Sequence, residues 1–515
     1  MLLHEPFDFH AISHGDYIAA KDESGAMTYA AARERSLRAA AMLGRMGVDP
    51  GDRVVTIVHN SFDALLLILA ASRIGAVCVP LSWRLAPPEW QGIIEDADAR
   101  VVIADGVHAA AMEAAGFRPD IAIATGEPPA GWWRLEDLLA DAGSAPPPHR
   151  GDADAVVLQL YTSGTTGRPK GAMITHANLL ANISLSAYAI GDALPGERSL
   201  HVLPLFHIAG VMFAFRALSG GETLFIHATV DPERILRTLV EEEIRWTFIV
   251  PAIIQMLLNV PGLSGRKFPA LRHIIYGASP ISKHVLVKAM RAFGCGFVQG
   301  FGMTELSCVG TFLSEADHDM AVAGRPELLA SAGRPIPGTR LRVVDAGGHD
   351  CRPGEIGEIL IKGPHVFKGY WKLPDATAAA LTDGWLRSGD AGSLDERGYL
   401  FIRDRIKDMI VTGGENVYPA EVEAVLHQHP RVAEATVIGI PDEKWGETVM
   451  AVIVPEPGAA LDEAELDGFC KARLGGFKRP RAYTFVPELP RNASGKVLKR
   501  ELRAAYWQGH DRAVA

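Results

Sequence analysis

Cysteine is scarce. The five in this 515-residue chain, Cys78, Cys295, Cys308, Cys351 and Cys470, are scattered, odd in number and form no Cys-x-x-Cys pair. That spacing offers no disulfide framework and argues against a zinc site. A basic excess is missing too: 51 Lys+Arg face 61 Asp+Glu, a formal charge of −10. No global field draws DNA, RNA or anionic lipid, so no nucleic-acid partner is expected and any phosphate contact must be a local site. Long apolar runs are also absent. The strongest, ALLLILAA at 64–71, stops at Ser72 and Arg73, less than half the roughly 20 residues a bilayer requires. It reads as a buried core helix, and no transmembrane segment is expected. The opening MLLHEPFDFH lacks the basic leader and apolar stretch of a secretory signal, so the expected compartment is cytoplasmic.

What is present is an ordinary globular balance, 22% charged and 48% hydrophobic, in a chain long enough for about three units of roughly 150 residues. A small binding module is excluded by size. Short β-branched segments alternate with helical patterns: 53–58 before 64–71, 101–104 before 109–115, and 271–276 before 283–293. This is the rhythm of a layered α/β protein. No internal repeat is visible, and SAPPP at 144–148 reads as a loop between subregions. Beyond about residue 400 the pattern changes. Strands are expected at 399–403, 433–440 and 448–454, and helices at 419–427, opened by Pro419, and 462–474. The expected fold is thus a large N-terminal α/β domain of several subdomains, 1–403, a joint at 404–407, and a small mobile α+β domain, 408–515. The joint is placed where charges crowd, from Arg403 to Asp408, because such a segment suits a solvated surface better than a core.

One string concentrates phosphate chemistry. After an apolar strand candidate comes Tyr161-Thr162-Ser163-Gly164-Thr165-Thr166-Gly167-Arg168-Pro169-Lys170-Gly171, a loop of free amides, hydroxyls and one lysine, the composition that wraps phosphate oxygens. It is not a Walker loop, which requires four residues between its glycines and a Gly-Lys-Ser/Thr ending. Ser-Gly-Thr alone would be an ordinary turn; the whole string is harder to dismiss.

The string resembles the phosphate-binding signature of the adenylate-forming superfamily, which includes acyl-CoA synthetases, adenylation domains of peptide synthetases and luciferases. Further segments match in order: Leu203-Pro204-Leu205-Phe206-His207, similar to the acyl-pocket segment; Tyr276-Gly277-Ala278-Ser279-Pro280, to the adenine-side turn; Gln299-Gly300-Phe301-Gly302-Met303-Thr304-Glu305, to the nucleotide and magnesium segment. Gly384 to Asp390, Arg403 to Asp408, Gly413 to Pro419 and Pro490 to Lys496 complete a resemblance that runs from about residue 15 to 505.

The resemblance implies an ATP-dependent carboxylate–CoA ligase with ATP, Mg2+ and coenzyme A as its cofactors and a small carboxylic acid as substrate. A carboxylate is a poor electrophile until one oxygen becomes a leaving group, here by attack on the α-phosphate of ATP to give an acyl-adenylate. Two anions then approach one another, which calls for cations and amide donors where charge concentrates. Lys496 resembles the lysine that bridges carboxylate and α-phosphate. Thr162, Ser163, Gly164, Thr165 and Thr166 would cradle phosphate, with Lys170 on its outer oxygens. Glu305, with Thr165, would hold Mg2+, and Thr304 would lie beside the α-phosphate. Gly277, Ala278 and Ser279, together with Gly300, Phe301, Gly302 and Met303, would line the nucleotide. Asp390 would accept ribose hydroxyls, and Arg405 would pair with ribose or phosphate. Lys407 matches the hinge about which the small domain turns between adenylate-forming and thioester-forming poses, and Gly413-Gly414 leaves backbone bare enough for pantetheine.

Peptide-synthetase domains carry an aspartate where this chain has His207, so an amino-acid substrate is disfavoured. His207 and the small or apolar residues after it point to a fatty or aryl acid, His207 lining the carboxylate end. The plainer alternative for His207 is a core histidine satisfied by a backbone carbonyl. An acyl-AMP ligase loading a carrier-protein phosphopantetheine, a luciferase-type oxygenase and a catalytically dead nucleotide sensor stay open beside the CoA ligase. A homo-oligomer is compatible with the sequence.

Overall fold

The computed structural model describes residues 1–142, 151–162, 169–279, 281–413, 415–491 and 497–508. The loop at 144–148 lies outside them, as do Ser163, Gly164, Thr165, Thr166, Gly414 and Lys496. The chain divides into two compact units, Met1–Arg340 with Ile361–Leu386, and Leu341–Leu360 with Arg387–Ala515.

The first unit is built on a nine-stranded and an eight-stranded sheet. In the eight-stranded sheet Val77–Pro80, Arg53–Ile57, Ala99–Asp105 and Ala122–Thr125 run parallel. Val156–Thr162 and Lys170–Thr175 form an antiparallel pair at one side, with Gly369–Tyr370 closing that edge. The nine-stranded sheet carries five consecutive parallel strands, Thr223–Ile226, Arg198–His201, Trp246–Ile249, His273–Gly277 and Gly296–Met303. The expected βα alternation is therefore the physical frame of this unit.

The apolar run at 64–71 lies inside the helix Phe62–Ile74, where Ser61 accepts from the Ala64 amide at the N-terminus and Gly75, at φ 74°, ends the last turn. Leu65, Leu69, Ala70 and Ala71 are wholly buried. A helix apolar all round belongs in a core, and no helix among the described residues is long and apolar enough to cross a membrane.

The second unit contains strands of one five-stranded sheet and the whole of another. In one, Leu400–Arg405 pairs with Trp385–Leu394, which lies beside Gly357–Lys362. In the other, Val432–Asp442 and Gly446–Pro455 form a long hairpin flanked by the helices Pro419–Leu426 and Glu463–Lys471. Val422, Leu426, Val437, Ile453, Leu466 and Cys470 make its core. Residues 341–360 and 387–403, assigned by sequence to the N-terminal domain, cluster here: Trp385–Leu394 ladders onto Leu400–Arg405, and Gly357–Lys362 stands between Trp385–Leu394 and Arg340–Val344.

The charged joint corrects an expectation. Only Arg403 is exposed; Asp404 through Asp408 are half-buried. Burial is tolerable because the charges are answered locally. Asp408 pairs with Arg503 at 2.8 Å, Lys499 with Glu423 at 2.9 Å, and Asp404 accepts the Ala420 amide at 2.8 Å.

Candidate active site

Thr162 ends one strand and Lys170 opens the next, and the two are direct partners in the ladder. That pairing pins both ends of the phosphate-loop sequence to a rigid edge. Lys170 directs its Nζ over the Tyr370 ring, 5.1 Å from the centroid. The Tyr370 hydroxyl donates to Glu305 Oε1 at 2.7 Å, and the Phe367 amide donates to the Glu305 carbonyl at 2.9 Å. Two residues singled out by sequence, Lys170 and Glu305, thus meet on a third that was not. Tyr370 is placed by Gly369–Tyr370 pairing with Ala172 and Met173, and no spacing rule announces a partner that distant in sequence.

Glu305 sits on the 3₁₀ turn Thr304–Leu306, where Gly296–Met303 reverses into the antiparallel strand Cys308–Leu313. Ser307 at φ 51° and Cys308 at φ 128° adopt conformations that L-residues seldom take. The buried Asn182 holds this reversal, donating to the carbonyls of Leu306 at 3.0 Å and Val309 at 2.8 Å. Asn182, like Tyr370, was invisible to motif reading. Glu305 is half-buried and makes no ion pair among the described residues. A carboxylate with hard oxygens, oriented by a phenol and left without a cation, fits Mg2+.

On the neighbouring parallel strands Gly277 pairs with Gly300. A Cβ on Gly277 would lie 2.2 Å from the Gly300 carbonyl oxygen, so glycine is required there. Ala278 follows at φ 68°, a strained turn at the carboxyl end of a parallel strand, where ligands of open α/β sheets bind. Ala278 and Ser279 are exposed; Phe301, Gly302, Met303 and Thr304 are half-buried.

His207 caps the helix Ile208–Ser219. Asn60 clamps the preceding segment, donating to the Leu203 carbonyl at 2.7 Å and accepting from the Leu205 amide at 3.0 Å. The imidazole stacks near Phe206, ring centroids 4.7 Å apart, and its Nε2 is buried without a hydrogen-bond partner. Burial, helped by the Arg84 guanidinium, lowers its pKa to about 4. The ring is neutral near pH 7, and among the described residues no carbonyl reaches Nε2.

In the second unit Asp390 and Arg405 are ladder partners joined by a 2.9 Å ion pair. Lys407 lies on the 3₁₀ turn Ile406–Asp408, and burial pulls its pKa down, with Asp408 opposing. Gly413, at φ 59°, donates its amide to the Trp445 carbonyl at 2.8 Å, and the Trp445 ring lies where a Cβ would intrude. Trp445 is an exposed aromatic with Lys444 at 4.6 Å and Arg481 at 5.7 Å from its ring.

Two family models match the chain. The AMP-binding enzyme model matches residues 7–371, and the model of the AMP-binding enzyme C-terminal domain matches 421–496. The chain belongs to the AMP-binding enzyme family. A fatty acid–[acyl-carrier-protein] ligase of Streptomyces coeruleorubidus is 38% identical over 518 residues, 98% of this chain and 96% of the relative. A feruloyl-CoA synthase of an Amycolatopsis species is 39% identical over 482 residues, 93% and 94% of the two. Among solved structures, ATP-bound MatB from Rhodopseudomonas palustris matches with a TM-score of 0.87 at 33% identity, covering 98% of this chain and 99% of that one. As an AMP-binding enzyme the chain is an adenylate-forming protein with the layered α/β unit and smaller C-terminal unit expected of it.

Proposed function

We propose that this AMP-binding enzyme joins an apolar carboxylic acid to coenzyme A in two steps. It is an AMP-forming acid–thiol ligase that uses ATP, Mg2+ and coenzyme A. The carboxylate first displaces pyrophosphate from ATP to give acyl-AMP; the thiol then attacks the acyl carbon and AMP leaves. The observation that carries the reading is the meeting of Lys170 and Glu305 at Tyr370. It places a cation and an unneutralised carboxylate together beside a phosphate-loop sequence.

Lys170 draws the outer phosphates, and Ala278, Ser279 and Thr304 border the nucleotide. Bound Mg2+ supplies charge neutralisation on the phosphates. Asp390 takes the ribose hydroxyls with Arg405 beside it, and Lys496 joins carboxylate to α-phosphate. Lys407 is the pivot for the second step. Gly413 leaves room for pantetheine, and Trp445 with its two flanking cations offers a purine a stacking face and phosphates a counter-charge. His207, neutral near pH 7, offers no counter-charge to an α-ammonium, so at the carboxylate end of the pocket it favours an acid without one. The relatives that act on fatty and feruloyl acids support an acyl or aryl substrate, and the cytoplasm is the compartment we assign.

The similarity to an acyl-carrier-protein ligase favours a second reading, in which a carrier phosphopantetheine is the acceptor. Pyrophosphate release over a panel of fatty, aryl and amino acids, with coenzyme A, with a loaded-ready carrier protein or with neither, separates the readings. Release with apolar acids and thioester with free coenzyme A are expected; thioester only on the carrier selects the second reading, and ADP as product refutes both.

A further inference from the structure

Away from the residues assigned above, the eight-stranded sheet brings a second chemical cluster together. The parallel neighbours Arg53–Ile57 and Ala99–Asp105 end side by side, Ile57 level with Ala104. His59 follows the first strand, Asp105 ends the second, and His108 lies in the first turn of the helix Gly106–Ala114. One ligand atom from each of these three residues can be chosen so that all lie within 4.8 Å of one another. His59 Nδ1 is 2.6 Å from Asp105 Oδ2, while His108 Nδ1 lies 3.2 Å from the Ile57 carbonyl and 3.7 Å from the same carboxylate oxygen. The imidazoles face each other with centroids 5.0 Å apart and planes 26° apart.

The carboxylate is held from behind. Thr125, the ladder partner of Asp105, donates its hydroxyl to Oδ1 at 2.7 Å, and the His59 amide donates to Oδ2 at 2.8 Å. Trp83 stacks on His59 at 4.4 Å, and Trp90 sets its edge against His108 at 5.5 Å. A simple ion pair requires one imidazole; here a second lies beside the same carboxylate, between aromatic walls and with one carboxylate oxygen fixed by a hydroxyl.

We propose that His59, Asp105 and His108 form a binding site for a divalent first-row transition ion, Zn2+ foremost. Two imidazole nitrogens and one carboxylate are the donors such ions select, whereas Mg2+ selects oxygen. His59 and Asp105 remain partly exposed, leaving an entry side and an open position for water. Thr125 and the His59 amide are the outer partners that orient the acidic ligand. The site stands independently of the ligase reading, since none of these residues is assigned to nucleotide or acyl binding.

The test is calorimetric titration of the full-length, chelator-stripped chain with Zn2+ alone, beside Co2+ titration followed by visible absorption. One saturable ion per chain is expected, with a Co2+ spectrum of low coordination number and no displacement by excess Mg2+. Thr125→Ala should weaken binding about tenfold, and His59→Ala and His108→Ala should each weaken it more. No saturable binding, or Zn2+ binding unchanged in all three variants, overturns the proposal. If a histidine variant fails to fold, Thr125→Ala and the Co2+ spectrum of the unaltered chain decide it. A spectrum of sulfur ligation would assign the ion to a cysteine and refute this cluster.

Discussion

The strand-end site of the first unit and the charged turn of the second handle charge in opposite ways. At the strand ends, Glu305 is oriented by a neutral phenol and stands without a cation among the described residues, while Lys170 rests over an aromatic face. In the second unit the charges answer one another: Asp390 with Arg405, Asp408 with Arg503, Lys499 with Glu423. Burial alone would raise the Asp408 pKa, yet Lys499 and Arg503 outweigh it and hold the carboxyl below its ordinary value. Burial likewise works against the charge on Lys499, and Glu423 and Asp404 outweigh it and raise its pKa. One region keeps charge available for a ligand; the other is neutral within itself and can lie half-buried while remaining a candidate pivot. The lesson is that motif residues of similar polarity can be preorganised for an external partner or committed to an internal one.

Removing the charge proposed to join carboxylate to α-phosphate should cost most. Lys496→Ala is expected to slow adenylate formation about a hundredfold or more, read as pyrophosphate release, while thioester formation from supplied acyl-AMP survives. Equal loss in both half-reactions would erase the separation of roles. A change at the self-neutralised turn should instead leave the first step intact. Lys407→Pro, which fixes φ, is expected to slow thioester formation by more than about tenfold with pyrophosphate release nearly unchanged. Wild-type rates in both steps would remove the pivot.

Local signals were legible in the sequence to different depths. The helix Phe62–Ile74 could be read from its apolar run, and Pro419–Leu426 from its opening proline, because those signals are local. The segments around Gly277, Gly300 and Glu305 were legible through their resemblance to the family, whereas the close approach of Gly277 to the Gly300 carbonyl is a tertiary contact that spacing does not announce. Tyr370 and Asn182 were not, since each acts through a tertiary contact far along the chain. The crowd of charges from Arg403 to Asp408 was misjudged as solvated because Arg503 and Lys499, which make its burial tolerable, come almost a hundred residues later. His207 was singled out by its segment, but whether its nitrogen was satisfied depended on packing.

The Tyr370 contact sharpens the contrast further. Loss of one hydrogen bond to a charged group is worth about 1.5–3 kcal/mol, so Tyr370→Phe should reduce kcat/KM for MgATP by about ten- to a hundredfold. The Mg2+ concentration for half-maximal rate should rise with it. A merely structural tyrosine would change stability and leave the Mg2+ dependence in place.

The smallest effect concerns acid. His201, His207, His227 and His365, all in the first unit, have pKa values lowered by burial to about 4. His365 is wholly buried with neither ring nitrogen hydrogen-bonded among the described residues. The unfolded chain takes up these protons near the ordinary value of about 6.5, whereas the folded chain refuses them until about pH 4. Between those values the unfolded state binds more protons, so stability falls as pH falls. His365→Leu removes one such proton and a desolvated imidazole. It should shrink the loss of unfolding free energy between pH 7.5 and 5.5 by about 1 kcal/mol, measured by denaturant titration at both values. An unchanged pH dependence would show that His365 is protonated alike in both states, and the first unit would lose this distinction from the second.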